Sequence, residues 1–356
     1  MRFAPLLASL AVLVSTVTSG TLECEPSAVT QAQTNGRHVY TLMCAVCHGA
    51  NREGYKADQA PALGNQSFLA SVSSDFLSTA ISAGRASTTM SAWGRESGGP
   101  LVSSDVAALV EYLRSWQEVP SARLDERPLH GDPSRGETLY ARECARCHGP
   151  RGTGGTYEGI GGLQLLASAS DGFLRYAIRE GRPGTEMPGF RATLGDAAID
   201  DVVAALRKWQ AALPPPAKKP PAGRAPPLPL GPVPLNPRGP EPVGFTATPG
   251  FTSADVIKAQ LDRGARMAIL DARAPSDYAN NHIAGAVSVP FYDPEPYVDQ
   301  LPKDAWIVCY CGCPHAESGQ LARKLVGKGF TKVAVLDQGL GYWVGKKWDT
   351  RQGVLP

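Results

Sequence analysis

The chain has 356 residues, a length that suits two or three domains better than one. Its 35 Lys and Arg nearly balance its 33 Asp and Glu, and the formal net charge is +2 at pH 7. Without a basic stripe along the sequence, nucleic-acid binding is not expected. The 8 cysteines are too few for a disulfide-dense scaffold, so most of them need another explanation.

Residues 1–20 have the pattern of a signal peptide for export. Arg2 precedes an apolar stretch at residues 6–14, and small polar residues follow. The stretch is short for a transmembrane helix, so we predict an exported, periplasmic protein without a membrane anchor. The single basic residue leaves an uncleaved anchor as the alternative. We interpret Cys24 as a free thiol, with lipidation as the alternative, because the preceding Thr-Leu-Glu is a poor lipidation sequence.

Two short segments repeat one motif. Residues 40–49 read YTLMCAVCHG and residues 140–149 read YARECARCHG. Each contains Cys-x-x-Cys-His, in which two thiols can bond to a haem while the adjacent imidazole ligates its iron. The motif residues are Cys44, Cys47 and His48, then Cys144, Cys147 and His148. We therefore predict two covalently bound haem c groups, with a zinc half-site or a redox dithiol as the alternative.

The repeat extends well beyond the motifs. The matched positions are Gly36, Tyr40, Phe76, Leu77, Ile81, Gly84, Arg85, Met90, Leu113 and Trp116 in the first copy, and Gly136, Tyr140, Phe173, Leu174, Ile178, Gly181, Arg182, Met187, Leu206 and Trp209 in the second. The offset between copies falls from 100 to 93 along the repeat, so insertions and deletions lie between the predicted helices. This is typical of a duplicated domain.

Each copy is predicted to be a small helical domain. The first helix leads into the motif, a second helix follows it, and the third carries apolar residues three or four positions apart. The second helices are expected at residues 76–83 and 173–180, and the third at 106–116 and 199–209. We place the two domains at residues 33–120 and 130–212. A covalent haem would supply apolar core that such small units lack.

Met90 and Met187 are the candidate second ligands of the iron. Each follows a Gly-Arg pair and a polar loop, not a helical apolar stripe. A thioether is soft and uncharged, so it favours ferrous iron and raises the reduction potential. The alternatives are a core packing role for each methionine, and bis-His ligation through His38 or His130.

The repeat resembles class I cytochrome c domains of the small bacterial type over residues 33–120 and 130–212. The resemblance implies all-α domains with a proximal histidine and a distal methionine on each iron. These ligands are His48 and Met90 in the first copy, and His148 and Met187 in the second. An iron with two protein ligands has no open position for substrate, so we expect electron transfer at the haem.

In this family a proline carbonyl often accepts a hydrogen bond from the haem-ligating imidazole. Pro61 could do so in the first copy, and Gly161 occupies the corresponding place in the second. A glycine carbonyl can make the same bond from a less restricted backbone. The two haems are therefore expected to have different reduction potentials.

A proline-rich segment follows the repeat. Residues 214–242 contain 13 prolines in 29 positions and show no hydrophobic period. We predict a linker at residues 213–249 with polyproline II character, able to span roughly 90 Å if fully extended.

Residues 250–352 have a different pattern, in which short apolar runs alternate with helical stretches. This predicts an α/β domain with a parallel sheet. The expected strands are Met267–Leu270, Val287–Val289, Trp306–Tyr310 and Val333–Leu336, and the expected helices include Ala254–Gln260 and Ser318–Val326.

Several stretches of this segment together resemble a single rhodanese domain. They are Leu270–Arg273, Asp277-Tyr278, His282–Ala286, Ile307–Cys311, Gly329-Phe330 and Gly339–Trp343. In that family a cysteine at the end of the central strand carries a persulfide, and Cys311 occupies that position. The resemblance implies that backbone N–H groups stabilise a Cys311 thiolate, which attacks the outer sulfur of thiosulfate or a persulfide.

The loop after Cys311 departs from the usual rhodanese pattern. It is one residue longer than the commonest form, and it offers His315 and Glu317 where Arg or Lys is expected. An acidic side chain there would oppose an anionic substrate. Cys313 adds a dithiol that could trap a persulfide, close as a disulfide and release two electrons to the haems. A metal site on Cys311, Cys313 and His315, or an inactive docking domain, is the alternative.

These features predict a periplasmic dihaem c-type cytochrome fused to a rhodanese-like domain. We expect Cys311 to bind sulfane sulfur from a small sulfur compound, with Cys313 and His315 as accessory residues. The haems would pass electrons to an oxidase or another cytochrome. The alternative is a plain electron carrier whose rhodanese-like domain only binds a partner.

Overall fold

The computed structural model describes residues 31–55, 59–85, 88–214, 232–245, 249–313 and 315–356. The expected signal peptide and Cys24 lie outside these residues. Within the described ranges, no helix combines the length and apolar character needed to cross a bilayer. The predicted fold class is confirmed, because two helical units precede an α/β domain with a parallel sheet.

The two helical units have the same order of helices. The first contains α1 (Gln31–Val39), α2 (Ala45–His48), α3 (Gln66–Ser71), α4 (Ser74–Ala83) and α5 (Ser103–Arg114), with a π-helical turn at Tyr40–Cys44. The second contains α6 (Pro133–Glu143), α7 (Ala145–His148), α8 (Leu163–Ser168), α9 (Asp171–Glu180) and α10 (Arg191–Ala211). The predicted helices are present, although α5 ends before Trp116.

Serine and glycine mark the ends of α4 and α9. The side chains of Ser73 and Ser170 accept hydrogen bonds from the backbone N–H three residues further on, at 3.0 and 3.1 Å. The helices end at Gly84 and Gly181, whose φ angles of +67° and +64° favour glycine. These caps explain why both helices begin and end at equivalent positions.

A close helix crossing defines each unit. α1 packs against α5, and α6 packs against α10. A Cβ atom on Gly36 would overlap the carbonyl oxygen of Ala108, and one on Gly136 would overlap that of Asp201. Because only glycine lets two backbones approach this closely, both copies of the repeat carry it at this position.

A tyrosine links each crossing to its motif. Tyr40 and Tyr140 pack edge-on against Trp116 and Trp209, with ring centroids 4.9 and 4.8 Å apart. Each tyrosine hydroxyl donates a hydrogen bond to the carbonyl of the glycine after the motif histidine, at 2.7 and 3.1 Å. The helix crossing thus sets the position of the motif.

The α/β domain is built on a five-stranded sheet with the order β1-β6-β5-β2-β4, in which all neighbours are parallel. The strands are β1 (Gly250–Thr252), β2 (Met267–Asp271), β3 (His282–Ile283), β4 (Val287–Ser288), β5 (Trp306–Tyr310), β6 (Val333–Leu336) and β7 (Thr350–Arg351). The helices are α11 (Ala254–Asp262), α12 (Pro275–Asn280), α13 (Glu295–Val298), α14 (Ala316–Gly327) and α15 (Gly339–Gly345). The small β3–β7 pair is antiparallel.

The described part of the expected linker, residues 232–245, differs from a free polyproline segment. The Leu235 N–H donates to the Met267 carbonyl at 2.7 Å, and Phe245 packs on Trp306 with ring centroids 5.1 Å apart. Apolar residues between the prolines give this segment side chains to bury on the α/β domain, so that domain begins before residue 250.

Gly36→Ala tests the helix crossing. The added Cβ must push α1 from α5, so we expect the free energy of unfolding to fall by about 1–3 kcal/mol. Gly341→Ala is the control, because Gly341 is exposed in α15 with no atom within 4 Å of an added Cβ. That change should be neutral or stabilising by up to about 1 kcal/mol. Urea unfolding followed by circular dichroism measures both, and equal stability of Gly36→Ala and wild type would contradict the crossing.

Candidate functional site

A backbone carbonyl prepares the imidazole of His48 for metal binding. His48 ends α2, is 8% exposed, and has its Nδ1 3.0 Å from the carbonyl oxygen of Pro61. Because a carbonyl only accepts, Nδ1 carries the proton and Nε2 keeps its lone pair. Burial lowers the pKa of His48, which also favours the neutral ring. The expected role of Pro61 is confirmed.

His148 has the same arrangement with a different acceptor. Its Nδ1 lies 2.9 Å from the carbonyl oxygen of Glu158. Our expectation of Gly161 is wrong, because the carbonyl beside the imidazole is that of Glu158. The Gly161 N–H donates to the Gly152 carbonyl at 2.9 Å. This bond folds the glycine-rich loop back on itself, and an earlier carbonyl reaches the imidazole.

Met90 and Met187 lie in loops with matching backbone structure. The N–H of Arg85 donates to the Met90 carbonyl, and that of Arg182 to the Met187 carbonyl, both at 3.0 Å. A threonine hydroxyl two residues earlier accepts a bond from each methionine N–H, at 3.2 Å in both loops. Both methionines are half-buried in these loops. The matched loops favour equivalent ligand roles, which stay a prediction.

Each methionine loop begins at a half-buried arginine. Burial lowers the pKa of Arg85 and Arg182 to about 10. The Arg85 guanidinium lies 4.6 Å from the ring centroid of Phe76, and its buried Nη1 has no hydrogen-bond partner among the described residues. A buried guanidinium N–H of this kind fits a haem carboxylate.

The attachment thiols and the prepared histidines complete a donor set that fits haem c. Burial raises the pKa of Cys44 to about 12 and that of Cys144 to about 11, so both thiols are neutral. The rival ligands His38 and His130 are exposed, which does not favour a role as buried axial ligands. When bound, haem c supplies one-electron oxidation and reduction.

The loop after β5 brings two thiols together. Cys311 and Cys313 are 0% and 2% exposed, and their Sγ atoms lie 3.1 Å apart. The Cys311 Sγ also lies 2.9 Å from the Cys313 carbonyl oxygen and 3.3 Å from the Ser318 Oγ. At the start of α15, the Leu340 N–H donates to the Cys311 carbonyl at 2.9 Å. Cys309 packs in the core on the opposite face of the strand from Tyr310.

The geometry favours Cys313 as the thiolate of this pair. Hydrogen bonds from the thiols of Cys311 and Cys47, and from the backbone N–H groups of Ala316 and Glu317, lower the pKa of Cys313. Both N–H groups belong to the first turn of α14, where they lack intrahelical acceptors. Burial raises the pKa of Cys311 well above the usual thiol range. The sequence pattern pointed to Cys311 because it ends the strand, but the helix N-terminus faces Cys313.

The two polar side chains of the loop, His315 and Glu317, have different surroundings. His315 Nε2 lies 2.8 Å from an Asp337 carboxylate oxygen, and the structure does not support the accessory role predicted for this histidine. Glu317 instead joins the thiols, and ligand atoms of Cys311, Cys313 and Glu317 lie within 4.8 Å of one another. Burial raises the pKa of Glu317 well above its usual range. This shift favours the neutral form of Glu317, which would weaken the repulsion of an anion that we expected.

The cysteine loop lies against the first helical unit. Cys313 hydrogen-bonds to Cys47, a haem-attachment residue, and α14 contacts α2. A Cβ on Gly312 would lie 3.7 Å from Thr89 Cγ2, next to Met90. Covalent haem attachment would convert Cys47 into a thioether without an S–H, so this hydrogen bond belongs to the chain before haem is attached.

Two family models match the chain. The model described as cytochrome C oxidase, cbb3-type, subunit III matches residues 31–113 and 131–204, which are the two helical units. The model described as rhodanese-like domain matches residues 253–346. The chain therefore contains two cytochrome c domains, here cytochrome domains 1 and 2, followed by a rhodanese-like domain. The two helical units are similar to cbb3-type oxidase subunits.

Similar proteins each cover part of the chain. The cbb3-type cytochrome c oxidase subunit FixP of Bradyrhizobium diazoefficiens is 27% identical over 188 residues, covering 50% of this chain and 61% of FixP. The putative sulfur carrier protein YrkF of Bacillus subtilis is 30% identical over 96 residues, 26% of this chain and 50% of YrkF. A rhodanese-like domain structure from Anabaena is 30% identical, covering 29% of this chain and 79% of that chain with a TM-score of 0.26. The chain spans about three fifths of the oxidase subunits it matches.

Replacing an axial thioether tests the ligand assignment. Met187→His should lower the reduction potential of one haem by on the order of 0.1 V, because imidazole stabilises ferric iron relative to a thioether. Met43→Leu, at a methionine outside the matched loops, should leave it unchanged. Spectroelectrochemical titration measures both variants.

A single-component Nernst curve for wild type would contradict two unequal haem sites.

The charge on Cys313 predicts an unusual alkylation profile. In a Cys311→Ser variant, whose hydroxyl can still donate, the iodoacetamide reaction of Cys313 should vary little between about pH 5 and pH 8. In Cys313→Ser, the reaction of Cys311 should rise with pH, because burial raises the pKa of Cys311. Mass spectrometry of the loop peptide quantifies both, and identical profiles would exclude the assignment.

Proposed function

We propose that this protein is a periplasmic electron carrier that binds two haem c groups and couples them to sulfane-sulfur handling in its rhodanese-like domain. The observation that carries the proposal is the contact between Cys313 and Cys47. It joins a buried thiol pair to a haem-attachment residue of cytochrome domain 1. A domain that only docked a partner would not need a buried thiolate at this place.

Cys313 is the proposed nucleophile. Its thiolate attacks the outer sulfur of a persulfide donor R–S–SH, a new S–S bond forms on Cys313, and the donor S–S bond breaks. The products are Cys313–S–S⁻ and R–SH, with the proton moving from the outer sulfur to the leaving thiol. The first-turn N–H groups of α14 support the anion before and after transfer.

Cys311 is the proposed second thiol. Its Sγ lies 3.1 Å from that of Cys313. This exceeds an S–S bond of about 2.05 Å and is near the roughly 3.3 Å expected between the outer sulfurs of a trisulfide. Closing the Cys311 thiol onto the persulfide gives Cys311–S–S–S–Cys313 and releases one proton and two electrons. The balance needs two one-electron acceptors, a role that ferric haem c held at Cys44, Cys47 and His48 and at Cys144, Cys147 and His148 would fill.

The electrons would leave to another redox protein. The matched relatives are named as subunits of cbb3-type cytochrome c oxidases, which supports an oxidase or another cytochrome as the acceptor. YrkF is named as a putative sulfur carrier, which supports a sulfur compound at the rhodanese-like domain. The export pattern of residues 1–20 and covalent haem attachment both support a periplasmic location.

Sulfur loading of the haem-bearing full chain tests the proposal. After exposure to glutathione persulfide, Cys311→Ser should retain one added sulfur atom on Cys313 but reduce its haems at least about tenfold more slowly than wild type, since the second thiol is missing. Cys313→Ser should show neither change. Cys309→Ala, at a buried cysteine outside the loop, should behave as wild type. Mass spectrometry and haem absorbance are the two measurements.

The outcomes separate the candidate functions. If thiosulfate, sulfide and glutathione persulfide reduce the haems no faster in wild type than in Cys313→Ser, the coupling fails and the protein is a plain electron carrier. A metal held stoichiometrically by Cys311, Cys313 and Glu317 in the purified chain would replace the sulfur proposal with a metal site.

A further inference from the structure

The residues after the two axial methionine candidates have equivalent backbones but opposite exposure. The N–H of Trp93 donates to the Ile81 carbonyl at 3.0 Å, and that of Phe190 donates to the Ile178 carbonyl at 2.9 Å. These bonds make Trp93 and Phe190 counterparts in the two cytochrome domains. Trp93 is 5% exposed, whereas Phe190 is half-buried and the two residues before it are exposed.

The rhodanese-like domain accounts for this difference. Trp93 packs against Phe291 and Tyr292, with ring centroids 6.5 and 5.7 Å apart. The Ser91 hydroxyl donates a hydrogen bond to the Asp277 carboxylate, and the hydroxyl of Ser276 donates to the carbonyl of Ala92 at 3.0 Å. The segment that follows Met90 is thus covered by a polar and aromatic contact within the chain.

The motif helices differ in the same direction. Leu42, Met43 and Val46 of cytochrome domain 1 are half-buried apolar residues, and α2, which carries Val46, contacts α14. Their counterparts, 100 positions on, are Arg142, Glu143 and Arg146, and Asn51 is replaced by Arg151. The three arginines are exposed, and Glu143 pairs with Arg142 at 2.6 Å. The face of cytochrome domain 1 that the rhodanese-like domain covers is therefore apolar. The corresponding face of cytochrome domain 2, which is not covered by that domain, carries more positive than negative charge.

We propose that the two cytochrome domains face different partners: cytochrome domain 1 is closed on the chain's own rhodanese-like domain, and cytochrome domain 2 presents its arginine face to an acidic redox protein. The duplication supplies the internal comparison. The first copy has apolar side chains where the rhodanese-like domain covers it, and the second has arginines, which can steer a transient acidic partner. The inference holds whether or not Cys313 carries sulfur.

Hydrogen exchange on the haem-loaded full chain tests the closed side. Amides of residues 92–94 should exchange at least about tenfold more slowly than those of their counterparts 189–191, because the rhodanese-like domain covers only the first set. Equal exchange in the two segments would overturn the proposal.

Binding of labelled poly-L-glutamate, followed by fluorescence anisotropy, tests the open side. The triple variant Arg142→Glu, Arg146→Glu, Arg151→Glu should bind at least about tenfold more weakly than wild type at low salt. The control reverses Arg37, Arg95 and Arg263, which are exposed elsewhere, and so has the same change in net charge. Equal losses in both triple variants, or none in the first, would overturn the assignment of this face.

Discussion

The contact between the first and last helices of each cytochrome domain sets the geometry of the haem site. Gly36 and Gly136 let the helix backbones meet, and a tyrosine one turn later packs on a tryptophan from the end of the domain. The same tyrosine holds the carbonyl of the glycine after the motif histidine. The packing of the two helices therefore determines where the motif histidine lies. The site depends on backbone proximity, which no side-chain substitution can replace.

A second constraint acts at the cysteine loop. A strand end, a short turn and a helix N-terminus bring two thiols within 3.1 Å and direct two N–H groups at Cys313. Burial raises the pKa of Cys311 and Glu317, while hydrogen bonds from the Cys311 and Cys47 thiols and from two N–H groups lower the pKa of Cys313. Neighbouring titratable groups thus take different charge states because their environments differ. This separation makes a nucleophile and a proton-bearing second thiol available in one loop.

Predictions from the sequence succeeded where a local pattern determines the structure. They failed where the structure depends on contacts between separate segments of the chain. Strands Trp306–Tyr310 and Val333–Leu336 have the predicted bounds because short apolar runs between turn residues define them. Pro61 was identified through the resemblance to class I cytochrome c domains, in which a proline carbonyl often accepts this hydrogen bond. Glu158 was missed because any residue offers a carbonyl, and the fold of a glycine-rich loop decides which one reaches His148. The accessory role of His315 was predicted from its place in the loop, but its ring pairs with Asp337, a residue further along the chain.

The sequence by itself determined the two haem-attachment motifs, their duplication, the order of helices and the α/β pattern of the last domain. These features can be read from the spacing of residues that are close together in the sequence. Only the tertiary structure decided that Cys313 faces the helix N-terminus, that residues 232–245 pack on the rhodanese-like domain, and that Trp93 is covered while Phe190 is not. Each of these depends on contacts between segments distant in sequence, and their energies appear only when the segments meet.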